Sequence, residues 1–176
     1  MLLGAICTAA LVGCGGGDGG DDGGADPTTT APTTTQSQEA EDEEALRQLA
    51  EDWFVSVRSV YIDRANPDDL AAYAAGPYLE GVLDQIAEFE ATGNEAQPGD
   101  QTRHEVLSVE VDDASASLVE CVIDSDRVLS PDGDVINDEV QANLYETEAR
   151  RLDGGWRLTG RSTLEEVDGS DQCPAQ

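Results

Sequence analysis

The hydrophobic period changes once along this chain, and that change constrains its fold more than any other feature. Leu46, Leu49, Ala50, Trp53, Phe54, Val57, Val60 and Tyr61 recur at steps of three and one, the spacing of the buried face of a helix about twenty residues long. From Leu107 onward the period is two. Leu107, Val109 and Val111 share one strand face, Val119, Cys121 and Ile123 a second, and Val140, Ala142 and Leu144 a third. Helices come first and strands follow without alternating, the order of an α+β domain with an antiparallel sheet.

Turn residues divide these two halves further. Asn66-Pro67-Asp68-Asp69 ends the first helix and opens a second, with Asn66 as cap and Pro67 at the first helical position. Gly76-Pro77 opens a third, which turns Leu79, Val82, Leu83 and Ile86 inward and stops at Gly93. Glu39, Glu41, Asp42, Glu43 and Glu44 are expected in the first turns of the first helix, where the dipole favours negative charge. Asn94 to Thr102 reads as a polar loop, and Asp112-Asp113 as a turn. Ala114 to Leu129 is a strand long enough to need a bend or bulge. Ser130-Pro131-Asp132-Gly133-Asp134 reverses the chain, and Asp153-Gly154-Gly155 closes a tight hairpin before Trp156, Leu158 and Leu164 on one face of the last strand. The expected fold class is α+β, with three N-terminal helices packed on a bent four-stranded antiparallel sheet.

Ahead of this domain the composition is different. Leu2 to Val12 is an apolar run shorter than the ~20 residues a membrane-spanning helix needs and suited to a signal segment. It ends in Leu11-Val12-Gly13-Cys14, which resembles the lipobox of bacterial lipoproteins. The resemblance implies cleavage after Gly13, lipidation of Cys14, and a place on the extracytoplasmic face of the cell membrane. Gly15 to Gln38 is rich in Gly and Asp, then in Thr and Pro, with no aromatic or basic residue, so it has nothing to pack and reads as a disordered tether. Three segments follow: a signal with lipobox over 1–14, the acidic tether over 15–38, and a folded domain over 39–176.

Charge narrows the partners. The chain holds 38 acids and nine basic residues, all of them Arg, for a net charge of -29. Such a field repels phosphate backbones, which argues against nucleic acid and leaves apolar or cationic ligands and envelope proteins as partners. With Cys7 removed in the signal and Cys14 acylated, as the lipobox resemblance implies, Cys121 and Cys173 are the two thiols left. In an oxidising compartment they are expected to pair.

The order of elements from about Ala45 to Val167, ending in the hairpin Leu152-Asp153-Gly154-Gly155-Trp156-Arg157-Leu158, resembles the NTF2-like superfamily, in which a bent sheet forms a cone around a long first helix. That family's fold serves isomerases, dehydratases, transport modules and domains without activity, so the resemblance implies a fold and not a function. Trp53, Phe54, Tyr61, Tyr73, Tyr78, Tyr145 and Trp156 could line a cavity or pack the core; Trp53, Tyr61, Tyr145 and Trp156 are taken as the candidate cavity-lining residues, and the resemblance implies pairing of two copies through the sheet as an oligomer.

Candidate chemistry is sparse. His104, the one histidine, opens the first strand and reads as a surface-edge residue rather than a general base, which needs a partner and a pocket. Asp124, Asp126, Asp132, Asp134, Asp138 and Glu139 do not match a calcium loop, because the glycine after Asp132 stands at the second place rather than the sixth. No phosphate loop, nucleophile elbow or Cys-x-x-Cys motif occurs. The reading is therefore no catalytic residue, no metal and no cofactor, and a membrane-anchored binding domain. An accessory subunit of an envelope assembly, or a small isomerase or hydrolase, are the alternatives.

Overall fold

The computed structural model describes residues 34–173. The signal segment, Cys14 and nearly all of the tether expected above lie outside these residues.

Helix α1, Thr34–Asp63, begins inside the stretch assigned to the tether rather than at Glu39. No glycine or proline occurs between Thr33 and Asp63 to stop a helix there. Its first turn carries no acid, so the Glu39–Glu44 cluster lies beyond the reach of the terminal dipole. Asp42 is instead nearly buried and accepts from the indole of Trp156 at 3.2 Å and from Arg151, tying α1 to the far hairpin. The second helical element is a 3-10 helix over Pro67–Ala72, not an α-helix, capped by the Asn66 side chain on the Asp68 N–H. Helix α2 spans Gly76–Thr92 and ends at Gly93 in the left-handed conformation.

Two antiparallel sheets follow. Strands β2 (Arg103–Asp112), β3 (Ser115–Asp124), β6 (Gln141–Leu152) and β7 (Gly155–Asp168) form the larger, in that order. The smaller consists of β1 (Glu95–Gln97), β4 (Arg127–Leu129) and β5 (Val135–Asn137), ordered β1-β4-β5. It was not expected: the loop after Asn94 supplies β1, and the long second strand breaks at Ser125-Asp126 so that β4 leaves β3's partners.

One side of the larger sheet packs on the helices through Ala116, Leu118, Ala149, Trp156 and Leu158, against Leu46, Ala50, Trp53, Val60 and Ile86. Each fully buried leucine there contributes about 1.5–3 kcal/mol. The other side carries Cys121, Ile123, Ala142 and Leu144 with Leu107, Val119 and Cys173 packed on them. Leu107 was expected beside Val109 and Val111. The register shifts between Val106 and Ser108, and one extra residue moves Leu107 to the far side while bringing Val106 and His104 to the helix side. Two further shifts in the β6–β7 pairing leave Thr159 and Leu164 without cross-strand partners. Leu164 is thus exposed instead of sharing the face of Trp156 and Leu158.

The C-terminal tail lies over the far side. Cys121 and Cys173 stand at bonding distance, with Cα atoms 5.9 Å apart. The Gly169 N–H donates to the Val140 carbonyl at 2.6 Å, and Arg103 donates to the Asp171 carbonyl.

Candidate functional site

Backbone hydrogen bonds place α2. The Ala75 N–H donates to the Leu158 carbonyl and the Leu158 N–H to the Tyr73 carbonyl, both at 2.9 Å, so the helix starts against the edge of β7. Between α1, α2 and the sheet, two recesses of about 330 and 470 Å³ share Trp53, Val57, Tyr61 and Arg161 in their walls. Of the sequence candidates, Trp53, Tyr61 and Tyr145 line them. Trp156 does not. It is buried at the other end of the helix–sheet core, on Asp42 and under the Arg151 guanidinium at 4.5 Å.

Aromatic contacts stiffen these walls. The Trp53 indole N–H donates to the Tyr78 hydroxyl at 3.0 Å, and their rings lie 5.4 Å apart. Tyr61 meets Phe89 edge-on at 5.1 Å, a favoured aromatic geometry. Burial raises the pKa of Tyr61, Tyr78 and Tyr145, so all three phenols are protonated at neutral pH.

Arg161 stands where the recesses meet. Its Nη2 donates to Glu120 at 2.8 Å and its Nε to Thr147 at 3.1 Å, while its guanidinium lies 4.6 Å from the centre of the Tyr145 ring. Glu120 is fully buried and also receives His104 Nε2 at 2.8 Å. Its other oxygen, Oε1, is buried without a hydrogen-bond partner among the described residues.

His104 is the main correction to the sequence reading: its side chain is 1% exposed, not at a surface edge. Nδ1 contacts Glu51 at 2.9 Å and Nε2 contacts Glu120, while Phe54 stacks on the ring at 5.1 Å. Both ring nitrogens face carboxylates, an arrangement that favours the doubly protonated imidazolium as donor to each. Burial opposes that charge, yet the hydrogen bonds to Glu120 and Glu51 raise the His104 pKa above its ordinary value. Burial likewise opposes the Glu120 anion, and the bond from His104 with the charge of Arg161 lowers its pKa. No sequence signal pairs His104 with Glu51 or Arg161 with Glu120, since those contacts span 53 and 41 residues.

The acids at the strand break have a structural task. Asp126 takes two hydrogen bonds of 2.8 Å from Arg58 and further ones from the Gly99 N–H and the Thr102 hydroxyl. Its carboxylate locks α1 to the loop before β2. Among the described residues no cluster of acids, histidines and cysteines could hold a metal ion, and no helix is long and apolar enough to cross a membrane.

Fold and site together define an α+β domain with two antiparallel sheets and aromatic recesses whose walls include Arg161, one member of a buried ion-pair cluster. The chain is similar in fold to the crystal structure of the intermembrane space region of the chloroplast protein ARC6, with a TM-score of 0.61 and 19% identity over 70% of this chain and 96% of that one. No protein-family model and no curated protein matches the sequence.

Proposed function

We propose that this chain is a lipid-anchored extracytoplasmic lipoprotein whose NTF2-like domain binds an apolar molecule without transforming it. The observation that carries the binding reading is the pair of adjoining recesses walled by Trp53, Val57 and Tyr61. Their volumes fall within the range of about 300–1,000 Å³ that small-molecule sites occupy, and their walls combine aromatic and aliphatic side chains with polar groups such as Arg161 that can orient a ligand. The Cys121–Cys173 pair, at bonding distance, suits the oxidising compartment that Cys14 implies.

A non-catalytic reading is favoured by His104. Both of its nitrogens are committed to carboxylates and its ring is packed on Phe54, so it has no free lone pair to accept a substrate proton. The long first helix and the four-stranded sheet packed on it support the NTF2-like cone. The tail held over the sheet's far side by Cys173 covers part of the surface that a sheet-mediated homodimer would use.

The test is titration of the purified chain with an uncharged naphthylamine dye. One dye per chain, with energy transfer from Trp53, is the expected result. A folded protein that leaves the dye in solution refutes the binding reading.

A further inference from the structure

We propose that the larger recess takes an amphiphilic monocarboxylate, its head group on Arg161 and its apolar body along Trp53 and Tyr61. This rests on the reading of the recess as a ligand site and adds the class of ligand. The chain carries 38 acids against nine arginines, yet no acid lines the recess of about 470 Å³, and Arg161 is its only charged side chain. Behind this wall Glu120 is shared between Arg161 and His104 and so offsets only part of their charge; on a surface so dense in carboxylates, a lining free of them and holding one guanidinium favours a single negative charge over a cation.

The donors are fixed before any ligand arrives. A guanidinium offers five N–H groups in one plane. Glu120 and Thr147 engage Nη2 and Nε and Tyr145 supports the face, which leaves the Nη1 groups without a partner among the described residues. The Tyr78 hydroxyl accepts from Trp53 but donates to nothing among those residues, and the Tyr145 hydroxyl makes no hydrogen bond there. The remaining Arg161 donors and the two phenol hydroxyls therefore line one recess whose wall holds no carboxylate among the described residues. Helix α2 enters the wall at Pro77 and Tyr78 with no side-chain cap at Ala75, so its positive end adds the same sign.

A carboxylate fits this better than a phosphate. The Nη1 donors and the phenol hydroxyls can engage the two oxygens of one carboxylate, whereas a dianion needs a second cation in a strongly negative field. Arg58, in the adjoining recess, is committed to Asp126.

The purified chain is titrated at pH 7 with decanoate, decylammonium, decanol and decyl phosphate, by calorimetry and Trp53 fluorescence. Decanoate is expected to bind about tenfold tighter than decanol, or 1.4 kcal/mol, with decylammonium weakest and decyl phosphate below decanoate. Gly81→Leu fills the recess from α2, where an added Cβ meets nothing within 4 Å, and should abolish binding of all four. Tyr145→Phe keeps the ring under Arg161 and should weaken decanoate several-fold while sparing decanol. Equal affinities for all four, blocked by Gly81→Leu, refute the carboxylate and leave the recess as a ligand site. Tighter binding of decylammonium or decyl phosphate also refutes it. A decanoate preference that survives Gly81→Leu places the anion elsewhere and overturns the proposal, and binding of none refutes the recess itself.

Discussion

Replacing Glu120 by Gln tests whether the buried cluster is held by charge. The side chain is 0% exposed, and it joins His104 from β2 to Arg161 from β7 through bonds of 2.8 Å each. Gln keeps the volume and removes the charge, leaving two cations facing a neutral amide. Removing one partner of a buried pair costs about 3–5 kcal/mol. Arg161 is 21% exposed, so water recovers part of its loss, and about 3 kcal/mol is expected. For a domain of this size that is a fall in Tm of roughly 10 °C. The difference depends on pH. His104 has a raised pKa, so its share of the stability is complete below the unfolded value of about 6.5 and is lost as pH rises through the folded value. Glu120 has a lowered pKa, so its share is complete above its unfolded value of about 4.3 and is lost as pH falls through the folded value. Urea denaturation of wild type and Glu120→Gln at pH 5.5 and 8.5, both above the range in which the Glu120 share is lost, reads the His104 effect, with the larger gap at pH 5.5. A gap under about 1 kcal/mol, unchanged between the two pH values, would falsify the assignment of a charged cluster.

Reducing the Cys121–Cys173 pair, or replacing both with Ala, should cost about 4 kcal/mol by loop-closure entropy for a separation of 52 residues, seen as a lower denaturation midpoint with reductant; an unchanged midpoint removes the bond. Gly99→Ala should destabilise by more than about 2 kcal/mol, because a Cβ there would run into the Ser125 backbone carbonyl; a wild-type melting curve would mean that the 98–102 loop does not lie against Ser125. Cys14→Ser should move the protein from the membrane fraction to the medium or leave it uncleaved, because two acyl chains hold where one is marginal; mass spectrometry of the wild-type protein should find a diacylated Cys14, and an unmodified thiol in the membrane fraction counts against the anchor.

Local chemistry was legible in the residues themselves. The cap at Asn66, the left-handed stop at Gly93 and the Asp153-Gly154 hairpin need only a few neighbouring residues, and the structure places each where the sequence does. The α+β class followed from the change of period, since each period is a property of one element. The length of α1 was misjudged for a related reason: composition marked Thr34–Gln38 as tether, but nothing in those residues interrupts a helix already started.

Trp53, Tyr61 and Tyr145 were legible as lining residues, but the ion-pair cluster behind them was not, because it depends on pairing between distant strands. An unbroken period of two through β2 puts Leu107 on the side of Val109 and makes His104 an outward residue. A single extra residue at Leu107 reverses that parity, and no local signal marks it, since the bulge is set by how β2 aligns with β3. Only after that reversal does His104 face Glu120, and only the fold brings Glu51 and Arg161 to them. The recess has the same origin, for Trp53, Tyr78 and Arg161 come from three elements whose approach is set by core packing and by the backbone bonds at Leu158. Sequence by itself determined the elements and their order, which depend on neighbours along the chain; tertiary structure alone decided which side chains meet, because a sheet's register is a property of the pair.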